Sequence, residues 1–457
     1  MTGGAARTPT WLRHRLPEVL LVLFGIALRV SMLRSFPPQE GYDFEYHWEY
    51  VAWFARHGTL PPLELRQAFH PPLFYVLAGW LVRWGSGPEG VQLVSVVCGG
   101  LRTVLVWVGL ELYVPRSRLA RIVALGLAAV VPASVHIDGM VSGESLFSVL
   151  VLVALLLAPQ VFRAAGPRRH AFAALFGLVL GLAVLTKASG LTVLGAVALA
   201  ALAQLVAGGG GWRGRAWRLA PWCVAFVAFA MTSGLYFVRN QVHYGKPVLT
   251  SFDGWEAFYM VAYRDMPIVF RRPLEFAVGW SPEIYETPFY PSAALSRPRF
   301  FPILVASTFA DYYNYGFAPR RPGQPSVAAA GKAMPAGVVT LARASVAGGT
   351  AVALVTLLAW FATVVASFRA RAYDCVLLLL VPVAAVLGQL SFAIVYPYDL
   401  LGVVKGAYLQ FASPPLAALF GIGTAWLAGQ GRLRLLAVLP LTALGTVAAY
   451  TIYCRAL

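Results

Sequence analysis

Gly41–Tyr50, GYDFEYHWEY, lies just past the first long apolar run of the chain. It gathers three carboxylates and a histidine in ten residues, although the 457-residue chain has only 19 acidic residues in all. A polar cluster of this kind between apolar runs is the mark of an extramembrane loop. The composition around it agrees: 59% of residues are hydrophobic, 12% are charged and mean hydropathy is +0.69. A soluble domain sits nearer half apolar and a quarter charged, so the chain reads as an all-α polytopic membrane protein.

Runs of about 18–24 apolar residues mark some eleven spans. They begin near Pro17, Val91, Arg118, Val141, His170, Gly190, Ala216, Ala344, Tyr373, Ala407 and Leu433. His70–Trp84 is apolar but short, and reads as an interfacial or re-entrant helix. The basic N-terminus precedes an apolar segment with no small-residue cleavage site, which makes it an uncleaved first span. With the N-terminus in the cytoplasm, the inner loops become VPRSRLAR (114–121), FRAAGPRRH (162–170), GWRGRAWR (211–218), FRARAY (368–373) and GQGRLRL (429–435). All five are basic, as the positive-inside rule requires. The net charge of +17 is therefore assigned to anionic lipid and not to nucleic acid.

This sidedness sorts the acids. Only Glu18, Glu111 and Asp374 fall at the inner face; the other sixteen lie outside or at outer span ends. The whole chain, 1–457, forms one membrane domain with two long outer loops, at 36–90 and 239–342. The second is rich in aromatics and prolines, then turns to small residues over 323–337, the composition of a mobile stretch. Cys98, Cys223, Cys375 and Cys454 are scattered singly, with neither zinc spacing nor a disulfide framework. No internal repeat is apparent, which counts against inverted-repeat transporters.

On a helix, Asp43, His47 and Tyr50 share one face, while Glu45 and Glu49 share another. Further on, Lys187, Arg239 with Lys246, and Lys405 each place a cation at the outer end of a span. That runs against the topological bias, and an anionic ligand at the outer leaflet would account for it. Headgroup snorkelling is the alternative for each taken alone.

Asp43 with the spaced His47, followed in order by HPPLFY, GLAVLTK, VRNQVHYGKP and KGAYLQFASP, resembles the polytopic GT-C glycosyltransferases. The likeness is to the branch of protein O-mannosyltransferases and aminoarabinose transferases, and it covers nearly the whole chain. It implies the GT-C fold, with juxtamembrane helices in the first outer loop. It also implies transfer of a sugar from a polyprenyl-phosphate donor to an acceptor on the non-cytoplasmic face. The resemblance carries the essential carboxylate onto Asp43. One departure is Phe44, where the family often has a second acid; whether Glu45 substitutes stays open. Asp138 and Glu144 match a place where the family often carries an acidic residue, with a loop acid and a helix-start carboxylate as the plainer readings.

The chemistry is consistent. A sugar on a phosphate already has a good leaving group, so one base and a cationic phosphate site suffice, and direct displacement inverts the anomeric centre. Asp43 is the candidate base. Glu45, His47, Asp138 and Glu144 are candidate catalytic or metal support, and Arg239, Lys405, Lys187 and Tyr408 candidate phosphate contacts. His70 and Lys246 are candidate contacts to acceptor or donor. No cofactor is certain and a divalent metal ion stays open. Arg102, near mid-span, costs about 2.5–3.5 kcal/mol unless it faces protein; a backbone carbonyl or an acid such as Glu144 would be its partner. The expected protein is thus an inverting hexosyl or pentosyl transferase. Its acceptor would be a lipid, a glycan or a protein, and its site would be the bacterial inner membrane facing the periplasm. The alternatives are a transporter or flippase of lipid-linked saccharides, or a non-catalytic membrane scaffold.

Overall fold

The computed structural model describes residues 10–163, 166–207, 212–250, 273–289, 299–311, 335–395, 403–431 and 434–456. Most of the second long loop, including the small-residue stretch at 323–334, lies outside them. Among the described residues there is no strand. The chain opens with α1 (Thr10–Ser35), then two short helices in the first loop, α2 (Phe44–His57) and α3 (Leu73–Arg83). The bundle continues with α4 (Pro88–Tyr113), α5 (Arg118–Val130), α6 (Pro132–Asp138), α7 (Glu144–Arg163), α8 (Pro167–Thr186), α9 (Gly190–Ala207) and α10 (Trp212–Tyr244). After α11 (Pro273–Val278) and α12 (Phe300–Phe309) come α13 (Ala336–Arg369), α14 (Tyr373–Val395), α15 (Ser413–Gly429) and α16 (Val438–Ala456).

Ten of the described helices are long and apolar enough to cross a membrane, and the bent pair α5–α6 makes an eleventh. The expected spans are thus present, with three differences. The third is bent by 51°, because Pro132 forces Val131 out of helical geometry (φ −55°, ψ 118°). The eighth begins at Ala336 and not near Ala344. The tenth opens with a 3-10 segment, Gly406–Ala412, and turns α-helical only at Ser413. Pro414 and Pro415 lack N–H donors and are at home only in a first turn, so they fix that start.

Each of the three acids that the sequence assigns to the inner face meets arginine. Glu111 pairs with Arg15 and, at 3.2 Å, with Arg121; Glu18 lies 3.5 Å from Arg118; Asp374 Oδ1 accepts from Arg163 Nε at 2.9 Å. Deeper in the bundle, Asp138 is fully buried and its Oδ2 takes Arg29 Nε at 2.7 Å and Arg102 Nη2 at 2.6 Å. Its Oδ1 accepts from Ser145 Oγ at 2.6 Å and from Gln410 Nε2 at 3.3 Å. Arg102 is thus answered by Asp138, not by Glu144. Gly99 makes room, since a Cβ there would run into the Asp138 carboxylate.

Removing the charge of Asp138 strands two guanidinium groups in an apolar interior, a loss of about 3–5 kcal/mol for a broken buried pair. Asp138→Asn is therefore expected to lower the thermal unfolding midpoint of the detergent-solubilised protein severely. An unchanged midpoint would show that the cluster does not hold the bundle.

Candidate active site

The short helices of the first loop form the roof of a cavity. α2 and α3 pack through Tyr50, Val51, Phe74 and Tyr75, all nearly fully buried. The Tyr50 and Tyr75 rings stack at 3.9 Å and 3°. α2 ends cleanly because Gly58 takes the left-handed conformation, with its N–H on Phe54 O. As the sequence pattern requires, Glu45 and Glu49 face away and are exposed.

Asp43 is the residue before α2, and its backbone is left-handed (φ 52°, ψ 25°). Among the described residues only Arg371 shares this among non-glycines. The conformation is disfavoured for L-residues by about 1–2 kcal/mol, less for Asp than for most. The Asp43 carbonyl starts the helix by accepting from Tyr46 N and His47 N, both at 3.0 Å. Its carboxylate makes no capping bond and stays exposed at the cavity mouth.

The cavity holds about 360 Å³. Asp43, His47, His70 and Tyr75 line it from the roof, and Glu144, Lys187, Lys405 and Tyr408 from the bundle. His47 Nδ1 sits 2.8 Å from Tyr75 Oη, and the His47 and His70 rings stack at 5.9 Å. Burial pushes His47 down to about 4; Asp43 opposes that shift, and the two lysines add to it. His47 is accordingly neutral at neutral pH. Burial also lowers His70, with help from His47 and Lys187.

Opposite, Lys187 Nζ lies 4.4 Å from the centre of the Tyr408 ring and Lys405 Nζ 5.4 Å from it. Lys405 also caps the Tyr42 ring at 4.1 Å. Lys187 pairs with Glu144. Burial and the neighbouring Lys405 lower the Lys187 ammonium to about 7, while pairing with Glu144 works the other way. Lys405 is lowered by burial, with Asp43 opposing. Two ammonium groups beside one tyrosine repel each other, and an anion between them would relieve that repulsion.

Other candidates go elsewhere. Asp138 belongs to the arginine cluster, and Glu45 points outward. Arg239 does not line the cavity; it bonds Asn240 Oδ1 and lies 5.6 Å from the Tyr244 ring. Lys246 is exposed and also off the cavity. Sequence reasoning missed Arg66, which lines the cavity and stacks on Tyr46 at 4.1 Å, and Gln389. A lone glutamine in the apolar run of α14 was the available signal for the latter.

Among the described residues no three His, Cys, Asp or Glu side chains converge on a metal position. Glu144 is taken by Lys187, His47 Nδ1 by Tyr75, and two ammonium groups share the space. These residues alone do not fit a resident divalent cation.

No protein-family model matches the chain, and no curated protein matches it in sequence. Solved structures do. The Archaeoglobus fulgidus oligosaccharyltransferase tethered with an acceptor peptide overlays with TM-score 0.57 at 14% identity, over 98% of this chain and 56% of that one. AglB from the same organism, in complex with an inhibitory peptide and a dolichol-phosphate, gives 0.51 at 14% identity over the same shares. ArnT from Cupriavidus metallidurans in the apo state gives 0.46 at 15%, over 96% of this chain and 74% of that one. The chain spans just over half the length of the archaeal enzymes, and at these identities the likeness is one of fold. The archaeal oligosaccharyltransferase is a GT-C superfamily glycosyltransferase, and this chain shares its fold, the GT-C fold.

Proposed function

We propose that the chain is an inverting glycosyltransferase that moves a hexosyl or pentosyl unit from a polyprenyl-phosphate donor to an acceptor hydroxyl. The observation that carries this is a single cavity with Asp43 at its open mouth and Lys187, Lys405 and Tyr408 on the bundle side. The fold supports it, as does the dolichol-phosphate in the complex with archaeal AglB.

In this reading the donor phosphate lies between the two ammonium groups, within reach of the Tyr408 hydroxyl. Asp43 accepts the proton of the acceptor hydroxyl as its oxygen bonds to the anomeric carbon. The bond from that carbon to the phosphate oxygen breaks, and its electron pair leaves on the phosphate, where the lysines stabilise it. No proton is needed on the leaving group, so a neutral His47 suits the site. Attack from the side opposite the phosphate inverts the centre. The acceptor, a lipid, glycan or protein, approaches the exposed side of Asp43. The bacterial inner membrane with this face toward the periplasm belongs to the same proposal.

The test uses purified protein in nanodiscs with a panel of polyprenyl-phosphate sugars, reading release of polyprenyl phosphate. Asp43→Asn is expected to lower turnover by about 10²–10⁴-fold, the range for a lost general base, with donor binding retained. Lipid-linked saccharide crossing a liposome bilayer equally in both variants, with no release, would replace the transferase by a flippase.

The lysines give a pH signature. A lowered pKa means that the charged form is lost at a lower pH than for an ordinary lysine, and a bound phosphate favours that charged form. Donor affinity should therefore fall as pH rises through about 7 and beyond. Lys187→Met should weaken binding at neutral pH and flatten this alkaline limb. A binding curve that is pH-independent in the wild type would remove Lys187 from the phosphate site.

A further inference from the structure

Lys405 stands on backbone that is neither helix nor strand. It is 5% exposed, its own conformation is extended (φ −127°, ψ 130°), and the 3-10 segment Gly406–Ala412 that follows is mostly buried. Non-helical backbone in an apolar bundle is tolerable only where other protein groups satisfy it. Two side chains from two other helices do so on either side of Lys405. Gln389 Nε2 of α14 donates to Val403 O at 2.5 Å, and Gly406 N donates to Ser307 Oγ of α12 at 2.9 Å.

Of the two, Ser307 is the more telling. Gln389 lines the cavity and can meet a ligand directly, whereas Ser307 does not line it. The Ser307 hydroxyl donates to Leu304 O at 3.2 Å, which leaves its lone pairs turned to Gly406. The approach is close enough that a Cβ on Gly406 would lie 2.7 Å from Thr308 Cα. Ten-residue α12 is too short to cross a membrane, and its far end is braced independently of any ligand. Ser345 Oγ of α13 donates to Phe309 O, and Asp311 N donates to Tyr450 Oη of α16 at 3.0 Å. A rigid half-helix thus presents one hydroxyl to the backbone next to the phosphate-site lysine.

We infer that Ser307 is a positioning residue: through the N–H of Gly406 it holds Lys405 against Tyr42 and Tyr408 and so sets the geometry of the anion site. This deepens the donor assignment above and rests on it. Ser307 touches no reacting atom. Its loss would free the Gly406 end of the segment, with the Gln410 end still anchored, and let the ammonium swing away from Asp43, Lys187 and the two tyrosines it now faces.

The experiment uses the full chain in nanodiscs, with Ser307→Ala, Ser307→Thr and Gly406→Ala beside the wild type. Two readouts are taken: the donor dependence of polyprenyl phosphate release, and the pH dependence of Lys405 acetylation by competitive labelling and mass spectrometry. Exposed Lys246 serves as the internal reference. Ser307→Ala and Gly406→Ala should raise the donor KM about tenfold, as expected for one lost buried hydrogen bond, with kcat little changed. The labelling midpoint of Lys405 should move up toward that of an ordinary lysine, and Ser307→Thr, which keeps the hydroxyl, should restore both values. Wild-type labelling and wild-type KM in the alanine variants would overturn the inference. A wild type that releases no polyprenyl phosphate, with the labelling shift still present in Ser307→Ala, would sink the donor assignment while upholding the role of Ser307.

Discussion

The arrangement hangs on one buried carboxylate. Asp138 answers Arg29 from α1 and Arg102 from α4, and its second oxygen takes Ser145 from α7 and Gln410 from the 3-10 segment. Each arginine alone would be expensive in an apolar bundle; the cluster around Asp138 joins five elements, from α1 to the 3-10 segment. Gln410 also donates to Ser134 O at 3.1 Å, so the segment that carries Lys405 and Tyr408 is anchored to α6 twice. The bend at Pro132 is part of the same device, because it ends α6 at Asp138 against Gly99.

From that anchor the candidate site follows as two halves built by different means. The bundle half, with Lys187 at the end of α8 and Lys405 on the buried non-helical segment, is held by ion pairs and backbone hydrogen bonds. The roof is held by stacking: Tyr50 on Tyr75, His47 on His70, and a strained Asp43 ahead of α2. Strain of this kind persists only where the surroundings impose it. Here Tyr42 is locked between His136, at 5.6 Å, and Lys405. The roof and the bundle therefore meet at Tyr42, directly before Asp43.

Much of this was legible in the chain because membrane insertion writes strong signals. Apolar runs and basic loops gave the eleven spans, and Lys187 and Lys405 stood out as cations where the bias disfavours them. His47 and Asp43 came from one amphipathic decapeptide. Asp138 illustrates the opposite case: among outer-end acids it looked equivalent to Glu144, and only burial and its two arginines separate them. Arg239 stood out for the same reason as the lysines, yet it meets Tyr244 and Asn240 and does not line the cavity.

The sequence by itself determined the all-helical membrane class, the order of the spans and the short list of ionisable residues able to meet an anion. These depend on local quantities: hydropathy along a window, the charge of a loop, and proline at a helix start. Tertiary structure alone decided which of those residues share a cavity. It also decided that Glu144 serves Lys187, that Asp138 serves Arg102, and that a serine on a half-length helix supports Lys405. Such pairings join residues tens to hundreds of positions apart, and no local pattern encodes the packing that brings them within hydrogen-bonding reach.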